Sequence, residues 1–259
     1  MYTRNMSNKT LVDLDQWLAP HKSTIQAREK YISSKLEKVL TNKTPAEFAM
    51  GFLHFGLHKT DAGWTFREWA PNATQIFLVG DFSDWKEREE FALSRDKNGE
   101  WSINLPENSL RHGQKYKLRV YWSDGDGWRL PSYANYVIQD ENSVDFSAVV
   151  WSPKTPYHWQ YKTPPNPKVP LIYEAHVGMS SQQEKVASFS EFTAEVLPRI
   201  KESGYNTIQL MAIAEHPYYG SFGYHVSNFF AVSSRFGTPD DFKKLVDTAH
   251  GMGLRVIID

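Results

Sequence analysis

The chain has 259 residues, of which 41% are hydrophobic and 23% are charged, a balance typical of a globular chain rather than a disordered one. Lys plus Arg (29) nearly cancel Asp plus Glu (30), so bulk charge gives no reason to expect a nucleic-acid partner. The sequence has no cysteine, which excludes disulfide scaffolds, thiolate metal sites and cysteine nucleophiles. Because the first twenty residues lack a signal-peptide core and no apolar stretch is long enough for a membrane span, we expect a cytoplasmic protein without a membrane partner.

The first region, residues 1–50, is predicted to be a helical segment. Apolar side chains recur every three or four positions between Ile25 and Leu40, among charged residues of both signs. Pro20 interrupts the helical pattern upstream of this stripe. We expect the helix to pack on a neighbouring domain.

Residues 51–150 change to an alternating pattern and are predicted to form an antiparallel β-sandwich. Short alternating runs recur about every dozen residues, and Gly, Asn and Asp turn signals separate them. The clearest runs are residues 64–69, 75–79, 101–105 and 116–121. A Pro-rich stretch at 151–168 follows, and it is predicted to be a stiff linker.

From residue 169 the pattern changes to alternating strands and helices. Apolar strands are predicted at 171–175, 207–212 and 254–259, with helices at 189–203 and from Thr238 to about Gly251. A (β/α)₈ barrel needs roughly 250 residues, and only 91 remain here. We therefore expect the first strands and helices of such a barrel, truncated after strand three at Asp259. The alternative is a small three-stranded α/β unit.

Several segments resemble the glycogen and starch branching enzymes of the α-amylase superfamily, particularly the eukaryote-like ones. The resemblance covers roughly residues 11–259 and depends on the combination of motifs rather than on any one of them. These motifs are Phe66–Ala73, Val79–Trp85, Tyr173–Ser181, Val196–Lys201, Ile208–Tyr219, Ser221–Tyr224, Arg235–Pro239 and Asp247–Gly253.

The resemblance implies a 1,4-α-glucan branching enzyme that cleaves α-1,4 bonds and forms α-1,6 branches with retention. Retention needs a nucleophilic carboxylate and an acid/base carboxyl about 5–5.5 Å apart. In the family both carboxylates lie beyond the third barrel strand. None of residues 1–259 therefore matches the nucleophile or the acid/base, and the chain by itself is expected to be inactive.

The resemblance also assigns two substrate-binding residues to the predicted barrel. Tyr224 matches a tyrosine that stacks on the sugar beside the scissile bond, although a loop Tyr packed under the barrel rim is the alternative. Asp259 matches an aspartate at the end of the third strand that shapes the site, and it is also interpretable as a carboxylate that orders a loop.

Four residues of the predicted sandwich match positions that contact glucan away from the active site: Trp69, Pro71, Trp85 and Lys117. Indole faces stack on sugar rings, and an ammonium group donates hydrogen bonds to hydroxyls. Trp69 has a core position as its alternative, because aromatic side chains on strands are usually buried. Trp85 is the stronger candidate, since its turn is harder to bury, whereas Trp64 and Trp101 are predicted core residues.

No cofactor is predicted. The nine His residues form no pair at metal-ligand spacing, and Gly125 and Gly127 lack the context of a phosphate-binding loop. The expected partner is an α-1,4-glucan polymer such as glycogen or starch, and nothing in the sequence indicates an oligomeric state. The alternatives are a debranching or trehalose-forming relative of the same superfamily and a non-catalytic glucan-binding protein.

Overall fold

The structure is a computed structural model that describes residues 10–41, 43–140 and 142–259. Two compact units separate at Gly51 and Phe52. Within the described ranges, no helix is both long enough and apolar enough to cross a membrane.

The first unit is helical, as predicted. It contains α1 (Leu11–Leu14), a 3₁₀ turn over Gln16–His21, α2 (Lys22–Leu40) and α3 (Pro45–Phe48). Pro20 lies inside the 3₁₀ turn, and the long helix begins two residues later, because proline cannot continue the hydrogen-bond ladder of an α-helix. The packing predicted for α2 stays a prediction.

The second unit begins with nine antiparallel strands in two sheets, which confirms the predicted sandwich. Their order is β1–β2–β5–β4 in one sheet and β3–β6–β9–β8 in the other, where β7 also pairs with β6. The strands are β1 (Gly56–Thr60), β2 (Gly63–Trp69), β3 (Ala73–Gly80), β4 (Ser94–Arg95), β5 (Glu100–Leu105), β6 (Lys115–Trp122), β7 (Gly125–Arg129), β8 (Val137–Gln139) and β9 (Phe146–Val149).

The sandwich core forms because alternate residues of each strand point inward. Both sheets contribute to one cluster that includes Phe66, Ile76, Leu118 and the predicted core residues Trp64 and Trp101, each 4% exposed. The turn signal at residues 123–127 is confirmed in part: the chain turns at Ser123 and Asp124, but Gly125 and Gly127 already lie in β7, which pairs with β6. Three of the five residues of that strand are Gly or Asp, which are uncommon in strands, so the sequence pattern did not predict its pairing with β6.

A parallel sheet follows, in the order β10 (Ile172–His176), β11 (Thr207–Met211) and β14 (Arg255–Ile258). Sequential strands are neighbours and helices connect them, as at the start of a (β/α)₈ barrel. The first connection runs through α4 (Phe189–Glu191), a π-helical turn and α5 (Leu197–Glu202), and the second ends with α6 (Pro239–Gly251). Thr238 and Asp241 cap α6 reciprocally, which confirms its predicted start.

Sequence patterns did not predict a short hairpin within the second connection. Its strands are β12 (Ala214–Glu215) and β13 (Asn228–Val232), which pair antiparallel. The hairpin projects beyond the end of β11 and carries the loop with Tyr224. The few paired residues of β12 give too short a pattern for a strand to be recognised from sequence.

The sandwich and the α/β region lie in the same compact unit. The ring of Tyr133 stacks on Phe230 of β13 with centroids 4.3 Å apart. Hydrogen bonds also attach the predicted linker to α6. Buried Asp247 of that helix accepts from the hydroxyl of Tyr157 (2.8 Å) and from the amide of Tyr161 (2.9 Å), two residues of the linker. The boundaries predicted between sandwich, linker and barrel stay predictions.

Candidate functional site

The turn after β3 has an uncommon backbone. Asp84 and Trp85 both adopt left-handed conformations, with φ of 54° and 58°, which bulky residues rarely occupy. Buried Ser83 supports the turn, since its hydroxyl donates to the Gly80 carbonyl and accepts from the Gly80 amide at 3.2 Å each. Backbone strain of this kind is concentrated at functional sites, and here it places an indole at the surface.

The Trp85 side chain is 38% exposed, yet it is held in place. Its indole N–H donates to Oδ1 of Asp81 at 2.9 Å. The other oxygen of that carboxylate accepts the backbone N–H of Lys115 at 2.7 Å. The indole of Trp85 is therefore tied to the start of β6.

A second indole, which the sequence analysis did not single out, lies beside Trp85. Trp128 of β7 is 44% exposed, and its ring centroid is 6.4 Å from that of Trp85, with 63° between the ring planes. The guanidinium carbon of Arg119 lies 5.4 Å from the Trp128 ring centroid, within cation–π range. The Gly- and Asp-rich composition of residues 123–127 indicates a turn, so Trp128 was not predicted to lie in a strand. The available signal was the pair of tryptophans, Trp122 and Trp128, on the two sides of that segment.

Lys117 of β6 lies near the first of these two indoles, Trp85. Together with Trp85, Asp81 and Asp145 it lines a cavity of about 350 Å³. The Lys117 ammonium donates to the Asp145 carboxylate, and this hydrogen bond lowers the pKa of Asp145 from its ordinary value. The cavity thus combines one exposed indole, that of Trp85, with charged donors and acceptors, a combination suited to a polyhydroxylated ligand.

Trp69 and Pro71 do not line that cavity. They lie at and after the end of β2, in the other sheet, where the Arg95 guanidinium donates to the Pro71 carbonyl at 2.7 Å. The Trp69 side chain is 60% exposed, so the alternative that it is a core residue is wrong. Neighbouring Glu68 is the buried residue here, and its burial raises the pKa of its carboxyl group.

The structure places Tyr224 and Asp259 together at the end of the parallel sheet. The Tyr224 hydroxyl donates to the Asp259 carboxylate at 3.3 Å, and the charge of that carboxylate raises the pKa of Tyr224. The Tyr224 side chain is 68% exposed, which is incompatible with the alternative of a tyrosine packed under the rim. Gly223 is required here, because its φ is 84° and an added Cβ would lie 2.3 Å from Cα of Ala212.

The cavity at this rim has a volume of about 380 Å³, and Asp259 is the one carboxylate among its lining residues within the described ranges. Glu215 of the same hairpin is fully buried, and its carboxylate accepts the amides of His216 (3.1 Å) and Ser234 (2.7 Å). It is therefore a structural group rather than a reacting one. A retaining reaction needs a facing pair of carboxyls, and this rim supplies a stacking surface and one carboxylate.

Comparisons with protein families match the two regions separately. Residues 54–134 match carbohydrate-binding module 48, the isoamylase N-terminal domain, and residues 191–259 match the alpha amylase catalytic domain. Among solved structures, pullulanase from Bacillus acidopullulyticus is similar with a TM-score of 0.64 and 21% identity, over 79% of this chain and 29% of that one. The catalytic module of the glycogen-degrading pneumococcal virulence factor SpuA also has a TM-score of 0.64, with 18% identity over 86% of this chain and 38% of that one. At these identities the two likenesses show the fold alone.

Relatives with higher identity share one name, 1,4-alpha-glucan-branching enzyme. The protein of Yarrowia lipolytica is 44% identical over 95% of this chain, and that of Solanum tuberosum is 43% identical over 97% of it. The protein of Dictyostelium discoideum is 40% identical over 100% of this chain. The chain spans 37%, 30% and 39% of the length of these relatives, respectively. The sandwich, the parallel sheet and the sequence comparisons agree, and over nearly its whole length the chain is similar to proteins named 1,4-alpha-glucan-branching enzyme.

Proposed function

We propose that the protein is a 1,4-α-glucan branching enzyme of glycogen or starch-like polymer synthesis, in which residues 52–150 hold the linear glucan outside the catalytic centre. The observation that carries this proposal is the pair of exposed indoles, Trp85 and Trp128, the first of which lines a cavity together with Lys117. The two ring planes are inclined at 63°, and such an angled surface suits a curved α-1,4 chain better than an extended β-1,4 chain.

The proposed reaction is the one named for the relatives, 1,4-α-glucan branching. A retaining transfer cleaves an α-1,4 bond to form a glycosyl–enzyme intermediate, and the 6-hydroxyl of a second chain then replaces the enzyme carboxylate. Tyr224 is suited to stack against the sugar at the point of cleavage. Asp259, hydrogen-bonded to the Tyr224 hydroxyl, would fix the ring at the rim.

Branching is favoured over debranching by the sequence comparisons. The relatives at 40–44% identity carry the branching name, whereas the pullulanase shares the fold at 21% identity. Activity on a linear and on a branched substrate separates the two functions: branching lowers iodine staining of amylose, and debranching releases linear chains from amylopectin.

Residues 1–259 by themselves are expected to bind glucan without turning it over, because none of them matches the nucleophile or acid/base of the family. An iodine-stain assay on this purified chain tests that expectation, with a branch-linkage analysis of the product. Turnover above a blank would show that a carboxylate pair has been overlooked, and absence of glycogen binding would contradict the proposed role of the sandwich.

Affinity chromatography on glycogen tests the binding proposal directly. Stacking on two aromatic rings supplies little free energy beyond the cost of association, so we expect a Kd between roughly millimolar and high micromolar. A cellulose matrix serves as the control polymer. Equal retention on the two matrices would show that the inclined pair does not select α-glucans.

A further inference from the structure

Asp81 makes two hydrogen bonds that meet at the candidate glucan surface. Oδ1 accepts the indole N–H of Trp85 at 2.9 Å, and Oδ2 accepts the backbone N–H of Lys115 at 2.7 Å. Lys115 is the first residue of β6, the strand that pairs with both β3 and β7. One carboxylate therefore connects an exposed ring to the framework of the five-stranded sheet.

The Trp85 ring belongs to neither hydrophobic core cluster of the described residues, so core packing does not fix its direction. It follows a turn rather than a strand, and the nearest ring, that of Trp128, meets it at 63° rather than face to face. An exposed side chain free to rotate would lose that freedom on binding, which weakens affinity. A ring already fixed by a charge-assisted hydrogen bond avoids this loss.

We propose that Asp81 is a positioning residue for glucan binding, which fixes the Trp85 indole at its angle to Trp128 before the ligand arrives. This inference depends on the proposed function of the same surface. Asp81 acts through Trp85 and is not assigned a contact with the sugar.

The chain offers an isosteric variant and a matched control. In Asp81→Asn one oxygen becomes an NH₂ group, so the side chain can accept from Trp85 or from Lys115 but not from both. Asp84→Asn alters a carboxylate in the same turn that pairs instead with Arg88, at 2.7 Å, on the exposed side. Trp85→Ala removes the ring itself and tests the proposed function.

The first measurement is calorimetric titration of the 259-residue chain with maltoheptaose. We expect Asp81→Asn to weaken binding about tenfold, which corresponds to about 1.4 kcal/mol, and Asp84→Asn to stay within about twofold of the parent, since an exposed ion pair contributes little. Parent-like affinity of Asp81→Asn alongside lost binding in Trp85→Ala would overturn the inference and leave the proposed function standing. Parent-like affinity of Trp85→Ala would overturn the function of the surface itself.

The second measurement separates positioning from a general loss of structure. The indole N–H resonance of Trp85, assigned by its absence in Trp85→Phe, should shift and exchange faster with solvent in Asp81→Asn, while the other indole resonances stay in place. In a double-mutant cycle, Asp81→Asn should add little to Trp85→Phe, because the phenyl ring has no N–H to hold. Additive losses, or weaker binding with an unchanged Trp85 resonance, would contradict the positioning role.

Discussion

The surface beside Trp85 and the rim beside Tyr224 differ in how their side chains are held. In the sandwich, Asp81 ties one indole, Arg119 lies against the other, and Asp145 pairs with the lysine. At the rim, one 3.3 Å hydrogen bond holds a tyrosine that is 68% exposed. The comparison indicates that the proposed glucan-binding surface beside Trp85 is preorganised, whereas the rim holds its proposed substrate-binding residues with fewer interactions.

Buried polar atoms show the same difference. In the described part of the chain, six buried side-chain nitrogen or oxygen atoms have no hydrogen-bond partner, and five of them lie between His176 and Ser233. Both ring nitrogens of His176 are among them, and burial lowers the pKa of that imidazole. Buried polar groups normally have hydrogen-bond partners. The parallel-sheet region therefore has more buried polar atoms without a partner than the sandwich has, among the described residues.

The largest expected effect is on binding. Trp85→Ala combined with Trp128→Ala should abolish retention on a glycogen affinity gel, because both stacking surfaces are removed. The melting temperature should change little, since both side chains are exposed and touch no part of the core cluster. Tyr224→Ala is the matched control in the other region, and it should be retained as well as the parent. Loss of retention only in Tyr224→Ala would show that the rim, and not the surface beside Trp85, binds the glucan.

The next effect concerns the stability of the parallel-sheet region. Glu215→Ala removes a fully buried carboxylate that lies 3.6 Å from the Arg235 guanidinium and accepts two backbone amides. Removing one partner of a buried pair typically costs about 3–5 kcal/mol of unfolding free energy. Urea denaturation followed by far-UV circular dichroism measures the loss, and Glu90→Ala, an exposed acid of the sandwich, is the control. Equal midpoints for the two variants would contradict the buried pairing.

A smaller effect is expected in local opening. The outer strands of the parallel sheet expose Ile172, Tyr173, Ile257 and Ile258, which a parallel sheet ordinarily buries. Amides of residues 172–176 and 255–258 should therefore exchange with solvent faster than those of β3, which has five consecutive buried residues at its end. Hydrogen exchange followed by mass spectrometry gives the comparison. Slower exchange in the parallel sheet than in β3 would show that it is the more stable region.

The smallest expected effect is the pH dependence from Asp247. Burial alone raises the pKa of this carboxyl, but hydrogen bonds from Gln160, Tyr161 and Tyr157 outweigh it, so the net pKa lies below the ordinary 3.8. A depressed folded-state pKa contributes stability that is present above about pH 4 and lost as pH falls through the lowered value. Asp247→Asn should be less stable at neutral pH and lose less stability than the parent between about pH 4 and 2. Parallel acid-unfolding curves for parent and variant would contradict this assignment.

The sequence predicted much of the fold because its local signals are strong where burial is regular. Strand β6 alternates polar and apolar residues over most of its length, β3 ends in a continuous apolar run, and Thr238-Pro239 gives an unambiguous helix start. The hairpin of β12 and β13 was missed, since its pairing depends on contacts between residues far apart in sequence. Short strands with few paired residues carry little periodicity.

The candidate site was predicted in part. Trp85 and Lys117 were named and share one cavity, but Trp128 and Asp81 emerged only from the structure. Trp128 follows a Gly- and Asp-rich segment whose composition indicates a turn, while pairing with β6 makes it a strand. The role of Asp81 depends on a backbone amide 34 positions away, which no local pattern reveals.

Residue-resolved titration of the 259-residue chain with maltoheptaose tests the central claim most directly. Amide and indole resonances are recorded across the chain as the sugar is added. We predict that the shifts concentrate at Trp85, Trp128 and Lys117, with residues 222–225 unchanged up to millimolar ligand. Shifts confined to the Tyr224 loop, or to Trp69 and Pro71 without Trp85, would contradict the claim that the inclined indole pair is the glucan-binding surface.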